Sequence, residues 1–527
     1  MARTPGFMLL RRLVRQAATP DREPSARPAA SSTTRRQLLR DAALASALAT
    51  TAGLGSGSVV ARASTPSIAI VGAGLAGLTA AWHLKQRGIT TTVYEAGTRV
   101  GGRCGSTSNA FNAGFVVDFG GSFLNLNHAD MLGYVQTFGL TLVDQYQAVA
   151  GLPYAEATYW FNGRYHPESE LADDLRGICA QIATDAKKLD RNYDRWAPVY
   201  DAMSVKDYFD QYAGLFGAAY ARSLLEDTIR TEYGVKPNRS SLLQLLSNLP
   251  AVTGNEVDLY SANDETYFVR EGTGRIPQAL GADLGTAVKL GHRLTRIGGT
   301  PGNYTLDFAT ATGTTTVNAG VVVLATAFTA LRDATLDLAL PARLTDFITT
   351  SELGTNEKVF CQFASRPWRR PGGFSREIWG DFPFPNVWDD TLRAPPRPDG
   401  ILTYYTGAES SDPVLTASTA AAVGTSFTQA LDTALPGLAA AATGQYLKTG
   451  WRNNPLFKGA YSSFRPGELT KWANWFWVEG RRRAKQEVYV DNLYFVGEHL
   501  SDEYYGYMNG AAQTGRLAAA SIAKRFA

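Results

Sequence analysis

The stretch SIAIVGAGLAGLTAAWHLKQRGITTTVYEAGTRVGGR, residues 67–103, constrains what this chain can fold into more than any other. Residues 67–71 read as a short strand, Gly72, Gly74 and Gly77 form G-x-G-x-x-G, and residues 75–85 carry helical periodicity. A second strand, residues 91–94, ends at Glu95. Gly72 allows a tight turn, Gly74 lets the backbone approach a pyrophosphate, and Gly77 permits close packing of helix on strand. The helix N-terminus stabilises phosphate charge. Glu95, 23 residues after Gly72, is placed to accept hydrogen bonds from a ribose hydroxyl. A glycine triad alone says little, but strand, triad, helix and acid in this order predict a dinucleotide site in an α/β domain. They do not separate FAD from NAD.

The segment GTRVGGR that follows resembles the R-x-G-G-R of FAD enzymes of the glutathione-reductase-like class. That resemblance implies FAD, with Ala96 beside the ribose acid, Gly102 letting the chain pass close to the flavin, and Arg103 neutralising pyrophosphate.

Further along, VVDFGGSF reads as a strand running into a Gly-Gly turn whose backbone can approach a flat ligand. Residues 128–262 carry long helical stretches and few strand signals, which predicts a helical insertion. The chain then returns, with a glycine turn at Gly272 and Gly274 and alternating strands that place Leu294 near an adenine end. Residues 351–458 are strand-rich and predict the sheet of a second domain. The expected division is a leader over 1–63, cofactor domain pieces at 64–127, 263–350 and 459–527, and substrate-domain pieces at 128–262 and 351–458.

With these pieces in order, residues 66–525 resemble the flavin-containing amine oxidase family, which includes monoamine, polyamine and L-amino-acid oxidases. The motifs that carry the likeness are VGAGLAGL with Glu95 and RVGGR, DFGGSF, REGTGRIPQAL, EKVFCQF, GAYSSFRPG, and YFVGEH followed by GYMNGAAQTGRLAA. The resemblance implies a two-domain fold, with a Rossmann-like FAD domain and a mixed-sheet substrate domain carrying a helical insertion. It implies that Gly120, Gly121, Ser122, Phe123, Glu498, Gly506, Tyr507 and Met508 border the flavin. It gives Lys358 the role of holding a water against flavin N5 and assisting reoxidation. Tyr461 and Tyr507 would flank the amine. The implied reaction takes a hydride equivalent from the carbon bearing the amine, giving an imine that water hydrolyses, with oxygen reduced to hydrogen peroxide. Turnover is expected to rise with pH through the substrate's amine, whose ordinary pKa is about 10.

Two departures from the family pattern carry information. L-amino-acid oxidases place an arginine for the substrate carboxylate after the glycine turn, and here that position is Phe123, so an amine without an α-carboxylate is expected. Arg270 or Arg452 would have to serve an amino acid, which is the alternative substrate. A flavin desaturase, or an amine dehydrogenase feeding a carrier, is the alternative of another class. In monoamine oxidases the residue before the aromatic-cage tyrosine is a cysteine bonded to the flavin, and here it is Ala460, so FAD is expected to be non-covalent. Trp160, Trp388, Trp451 and Trp475 are further candidates to line the pocket.

Residues 1–63 hold ten arginines, no lysine and three acids, so the net charge of +3 leaves −4 for the remainder. A nucleic-acid partner therefore loses its support. Arg35 and Arg36 precede a weakly apolar run that ends in Ala61-Arg62-Ala63. This resembles a twin-arginine export signal cleaved after Ala63, with Met8 as a second candidate start. The run is too diluted by Thr, Ser and Gly for a spanning anchor, so a basic tail is the other reading. The three cysteines show no disulfide or metal-ligand spacing, so no metal is expected. The expected partners are a small amine, oxygen, the export machinery and a second copy in a homodimer, in the periplasm or outside the cell.

Overall fold

The computed structural model describes residues 66–480 and 485–526. Residues 1–63, expected to be an export leader, lie outside the described residues. Within them no helix is long and apolar enough to cross a membrane.

The first predicted strand forms over Ile68–Val71 and is wholly buried. It pairs in parallel with Thr92–Tyr94 on one side and with Val321–Leu324 on the other. Val288–Lys289 and Leu493–Phe495 extend the sheet in parallel, and Tyr489–Val490 closes it antiparallel. Three distant stretches of chain thus build one six-stranded sheet. The strands Ile68–Val71, Val321–Leu324 and Leu493–Phe495, buried on both faces, are short unbroken apolar runs, IAIV, VVVL and LYF, as a covered parallel sheet requires. The helix Leu75–Lys85 lies against the C-terminal helix Met508–Phe526. The small residues of both explain that proximity: a Cβ on Gly515 would fall 2.3 Å from the Ala76 carbonyl. A four-stranded sheet over residues 293–337 flanks this unit.

A second sheet has seven strands, in the order Ala442–Lys448, Asn356–Phe363, Gly400–Gly407, Asn386–Asp389, Phe374–Gly380, Ala155–Phe161, Arg164–His166. Its period of two separates two environments. On one face Val359, Cys361, Leu402, Tyr404 and Val387 join an apolar core with the helix Ala420–Asp432. On the other, Lys358 stands directly opposite Tyr405, and Asn386 opposite the same tyrosine, which puts Trp388 beside it.

The stretch expected to be a helical insertion is helical in the main, but not throughout. Helices run over Ala129–Thr137, Glu168–Arg191, Tyr193–Asp201, Val205–Gln211, Ala219–Tyr233 and Leu242–Asn248. Glu168–Arg191 buries Leu171, Leu175, Ile178, Ile182, Ala186 and Leu189 along one stripe, with Glu168 and Glu170 in its first turn and Lys188 and Arg191 in its last. That charge order complements the helix dipole. Between these helices, however, Ala155–Phe161 and Arg164–His166 enter the seven-stranded sheet. The run AEATYWF is rich in aromatic residues with high strand preference, and a parallel neighbour, Phe374–Gly380, completes its ladder. VVDFGGSF also departs from the single expected strand: Val117–Asp118 and Phe123–Leu124 are separate short strands in different sheets.

Candidate active site

The glycine loop has the geometry a dinucleotide needs. Gly72 has φ of 105°, a region L-residues rarely adopt, and a Cβ there would meet the Ala325 carbonyl at 3.0 Å. A Cβ on Gly77 would lie 2.0 Å from the Gly72 carbonyl, so helix and strand touch through that residue. Gly74 is different: nothing lies within 4 Å of its absent Cβ, and no side chain caps the helix that starts beside it. An uncapped helix N-terminus facing open space fits a phosphate.

Glu95 does more than wait for a ribose. Its carboxylate accepts the N–H groups of Ala73 and Gly97, each at 2.7 Å, and so ties the glycine loop to the end of the second strand. Ala96 lies between those anchors. Leu294 is buried at this end, two residues beyond His292, whose N–H bonds the Glu95 carbonyl at 2.7 Å.

The other predicted cofactor residues converge from three segments. Gly101 donates to the Ala73 carbonyl at 2.8 Å, which brings Gly102 over Gly74. Gly120 packs so tightly on Arg103 that a Cβ would fall 2.0 Å from its carbonyl oxygen, and a Cβ on Gly121 would meet Met508 Sδ at 2.8 Å. Arg103 Nη1 donates to Glu498 and to the Ala460 carbonyl, each at 2.7 Å. Glu498 also accepts from Ser462 Oγ at 2.6 Å and Gly506 N–H at 2.7 Å. Burial alone would raise the Glu498 carboxyl, but Arg103 and these donors hold it below the usual carboxylate value. Arg103, expected to neutralise pyrophosphate, thus spends Nη1 on locking the 101–103 loop to the Ala460 and Gly506 turns.

At the far end of this array the Lys358 amino group donates to Gly120 O and Ser122 Oγ at 2.7 Å and to Asp118 O at 3.1 Å. It also sits 5.4 Å above the Trp388 ring. Burial lowers its pKa to about 8, opposed by Asp118 and Asp390 and assisted by Arg393. Beneath it runs a buried charge ladder that motif reading missed. Arg393 Nη1 donates to Asp118 at 2.5 Å, its other nitrogens reach Asp390 at 2.5 and 3.0 Å, and Thr403 Oγ1 donates to Asp390 at 2.9 Å. Arg393 and Asp118 are 2% and 0% exposed, so the ladder is shielded from solvent screening.

The aromatic wall joins these pieces. Tyr461 donates its hydroxyl to the Thr231 carbonyl at 2.7 Å, so the 2.6 Å contact with Tyr405 has Tyr405 as donor. Tyr507 donates to the Glu232 carboxylate. Both predicted tyrosines are therefore fixed to neighbouring residues of the helix Ala219–Tyr233. Phe123 and Trp388 pack edge to face at 5.4 Å, and Trp388 also packs on Tyr405 at 5.3 Å. Of the other tryptophans, Trp451 holds the Phe119 carbonyl at 3.0 Å, whereas Trp160 packs on Tyr165 and Trp475 joins a different part of the core. Arg270 and Arg452 are exposed, and Arg452 is bonded to Thr355. Thr231, Glu232 and Tyr405 carry no motif. Only the strand alternation of TYYTG could have singled out Tyr405.

This arrangement has relatives. The family model described as flavin containing amine oxidoreductase matches residues 75–523. An L-amino-acid oxidase of Siganus canaliculatus is 24% identical over 482 residues, covering 87% of this chain and 85% of that protein. A flavin-containing amine oxidase of Oncorhynchus mykiss is 23% identical over 472 residues, covering 87% and 86%. Among solved structures, wild-type putrescine oxidase bound to putrescine superposes with a TM-score of 0.68 at 21% identity, over 87% of this chain and 99% of that one. The family match spans most of the chain: this is a flavoenzyme that oxidises amines, and the chain belongs to the flavin-containing amine oxidoreductase family.

Proposed function

We propose that this enzyme oxidises an amine lacking an α-carboxylate, with FAD bound non-covalently and oxygen as the electron acceptor. The observation that carries the reading is the Lys358 amino group, held by Asp118 O, Gly120 O and Ser122 Oγ beside a wall formed by Trp388, Tyr405 and Tyr461. A bound flavin supplies the redox chemistry, accepting two electrons from the substrate and releasing them to oxygen. The balance closes: a C–H and an N–H bond of the amine break, an imine forms, and oxygen leaves as hydrogen peroxide. Water then hydrolyses the imine to a carbonyl compound and an amine or ammonia.

The chain's own groups position and exclude. Gly74 and the helix it precedes would hold the pyrophosphate, and Glu95 the ribose. Tyr461 and Tyr507, anchored on Thr231 and Glu232, orient the amine between two aromatic faces. Lys358 holds a proton at Nζ where the Gly120–Ser122 turn meets the substrate space. Burial raises the Tyr405 and Tyr461 hydroxyls above their ordinary range, so both stay protonated hydrogen-bond donors.

An amino acid is the second reading, favoured by one relative's name and opposed by Phe123 at the arginine position and by the exposure of Arg270 and Arg452. We place the mature enzyme outside the cytoplasm, on the strength of Arg35, Arg36 and the Ala61-Arg62-Ala63 site. A yellow holoenzyme that bleaches with an amine under nitrogen and regains colour with peroxide release in air supports the proposal. Bleaching by amino acids alone, or recovery only with a redox carrier, overturns it.

A further inference from the structure

Four buried charged side chains, Asp118, Lys358, Asp390 and Arg393, meet where the strand Val117–Asp118 runs into the Gly120–Phe123 turn. Asp118 joins them. Its carbonyl accepts the Lys358 amino group at 3.1 Å, while its carboxylate accepts Arg393 Nη1 at 2.5 Å, the Thr273 N–H at 2.9 Å and the Ser106 hydroxyl. Asp390 accepts Arg393 Nε and Nη2 at 3.0 and 2.5 Å and the Thr403 hydroxyl at 2.9 Å. These contacts all come from donors, which is the pattern of ionised carboxylates. Arg393 also lies 4.5 Å over the Phe268 ring, and Phe268 packs on Phe123 at 4.7 Å. One guanidinium therefore grips both ends of the turn that holds Lys358.

Two carboxylates against one guanidinium leave Asp118, Asp390 and Arg393 with a net charge of −1. Lys358 as an ammonium brings the set to neutrality. As a neutral amine it leaves a negative charge shut inside the protein, which is costly.

We propose that Arg393 and Asp390 are positioning residues for Lys358: with Asp118 they form its buried counter-charge and decide whether its amino group is an ammonium while oxygen is reduced. The inference rests on the amine-oxidase reading above and deepens it. Negative charge gathers on oxygen as it takes up electrons, so an ammonium here favours reoxidation and a neutral amine does not. The three residues exchange no proton or electron themselves; they fix the charge on Nζ. Other groups facing Nζ do not replace them. The Trp388 ring and the Ser122 hydroxyl carry no charge, and burial keeps Tyr405, opposite on the next strand, protonated. Burial works against the ammonium, Asp118 and Asp390 work for it, Arg393 works against it, and Glu265, the weakest of these, works for it.

The test follows the visible absorption of the oxidised holoenzyme, and separately its stopped-flow reoxidation, across pH 6–10 in wild type, Lys358→Met, Asp390→Asn, Arg393→Gln and Arg393→Lys. Wild type is expected to show an inflection that Lys358→Met lacks. Asp390→Asn keeps an acceptor for Arg393 and, with the Thr403 hydroxyl turned, that contact as well, so it changes charge alone. Its inflection should fall by about 1 pH unit or more. Arg393→Gln removes the positive charge, so its inflection should rise. Arg393→Lys keeps the charge and loses the forked contacts, so its inflection should stay near that of wild type even where stability falls. A purely structural role does not give opposite shifts in two neighbouring variants. If Arg393→Gln does not fold, the shift in Asp390→Asn decides alone. Inflections that do not move, or that move the same way in Asp390→Asn and Arg393→Gln, overturn this inference while amine oxidation stands. An inflection kept in Lys358→Met, or none in wild type, takes the lysine away from the flavin and overturns the role given to it together with this inference.

Discussion

The Lys358 amino group and the Ser122 hydroxyl lie 2.7 Å apart, and the two remaining bonds of that amino group run to carbonyls of the same turn. Lysine and turn therefore act as one unit. Ammonium donates three bonds and neutral amine only two, so deprotonation frees one acceptor and gives Nζ a lone pair. With a pKa lowered to about 8 by burial, this change falls in the working range. Lys358→Met is expected to slow reoxidation of the reduced enzyme in air by at least about 10-fold and to leave anaerobic reduction by amine nearly intact. Stopped-flow reoxidation of wild type across pH 6–10 should show an inflection near that pKa. Ser122→Ala removes an acceptor that favours the charged form, so its inflection should move to lower pH. Reoxidation unchanged in Lys358→Met would remove the lysine from the oxygen step.

Tyr461 leads to a prediction about positioning. Its hydroxyl is donated to the Thr231 carbonyl and receives a bond from Tyr405. Tyr461→Phe keeps the ring face and leaves the Thr231 carbonyl with Asn356 Nδ2 at 2.8 Å as a donor, but takes from the Tyr405 hydroxyl its acceptor, at about 1–3 kcal/mol. The ring should then shift, raising KM several-fold with a smaller effect on kcat. Tyr461→Ala removes the face itself and should lower kcat/KM by a further 10-fold or so, in line with a cation–aromatic contact of about 0.5–2 kcal/mol plus lost orientation. Equal kinetics for the Phe and Ala variants would show that the ring does not orient the substrate.

How much of this was legible in the sequence depends on whether a residue's role is local. The loop from Gly72 to Glu95 could be read because turn, approach and acid all act within one strand-helix-strand unit. Lys358 could be placed only by resemblance, because its partners are 236 to 240 residues away and are mostly backbone carbonyls with no side-chain signature. Glu232 was invisible for the same reason: a glutamate near a helix end looks solvated until the fold closes around it. Ala155–Phe161 was absorbed into a helical insertion because its partner strand, Phe374–Gly380, lies more than two hundred residues later. Arg393 stood in a Pro-rich loop, where a charge is ordinarily exposed, and instead it is buried against Asp118 and Asp390.

That ladder leads to a stability prediction. Arg393→Leu leaves Asp118 and Asp390 buried without their shared cation. Breaking a buried pair from one side costs about 3–5 kcal/mol. Chemical denaturation of holoenzyme should show that loss, and Asp390→Asn should cost less because Asp118 remains paired. An Arg393→Leu variant as stable as wild type would mean that the charges are screened in solution.

Ala460 decides how the cofactor is retained. It is buried, its N–H donates to the Gly354 carbonyl at 2.8 Å, and its carbonyl accepts from Arg103. A methyl side chain offers no nucleophile, so in the proposed non-covalent mode the glycine loop, Glu95, the Gly120–Phe123 turn and the Gly506–Met508 turn would hold the flavin. These contacts exist only in the folded chain. Acid precipitation or boiling is therefore expected to release all of the yellow colour into the supernatant, with the absorbance of free FAD. Retention on the folded enzyme should depend on the loop, so Glu95→Ala, which also unties Ala73 and Gly97, is expected to lower FAD occupancy after gel filtration by about 10-fold or more. Colour that stays with the denatured chain would require a covalent bond from a residue other than Ala460.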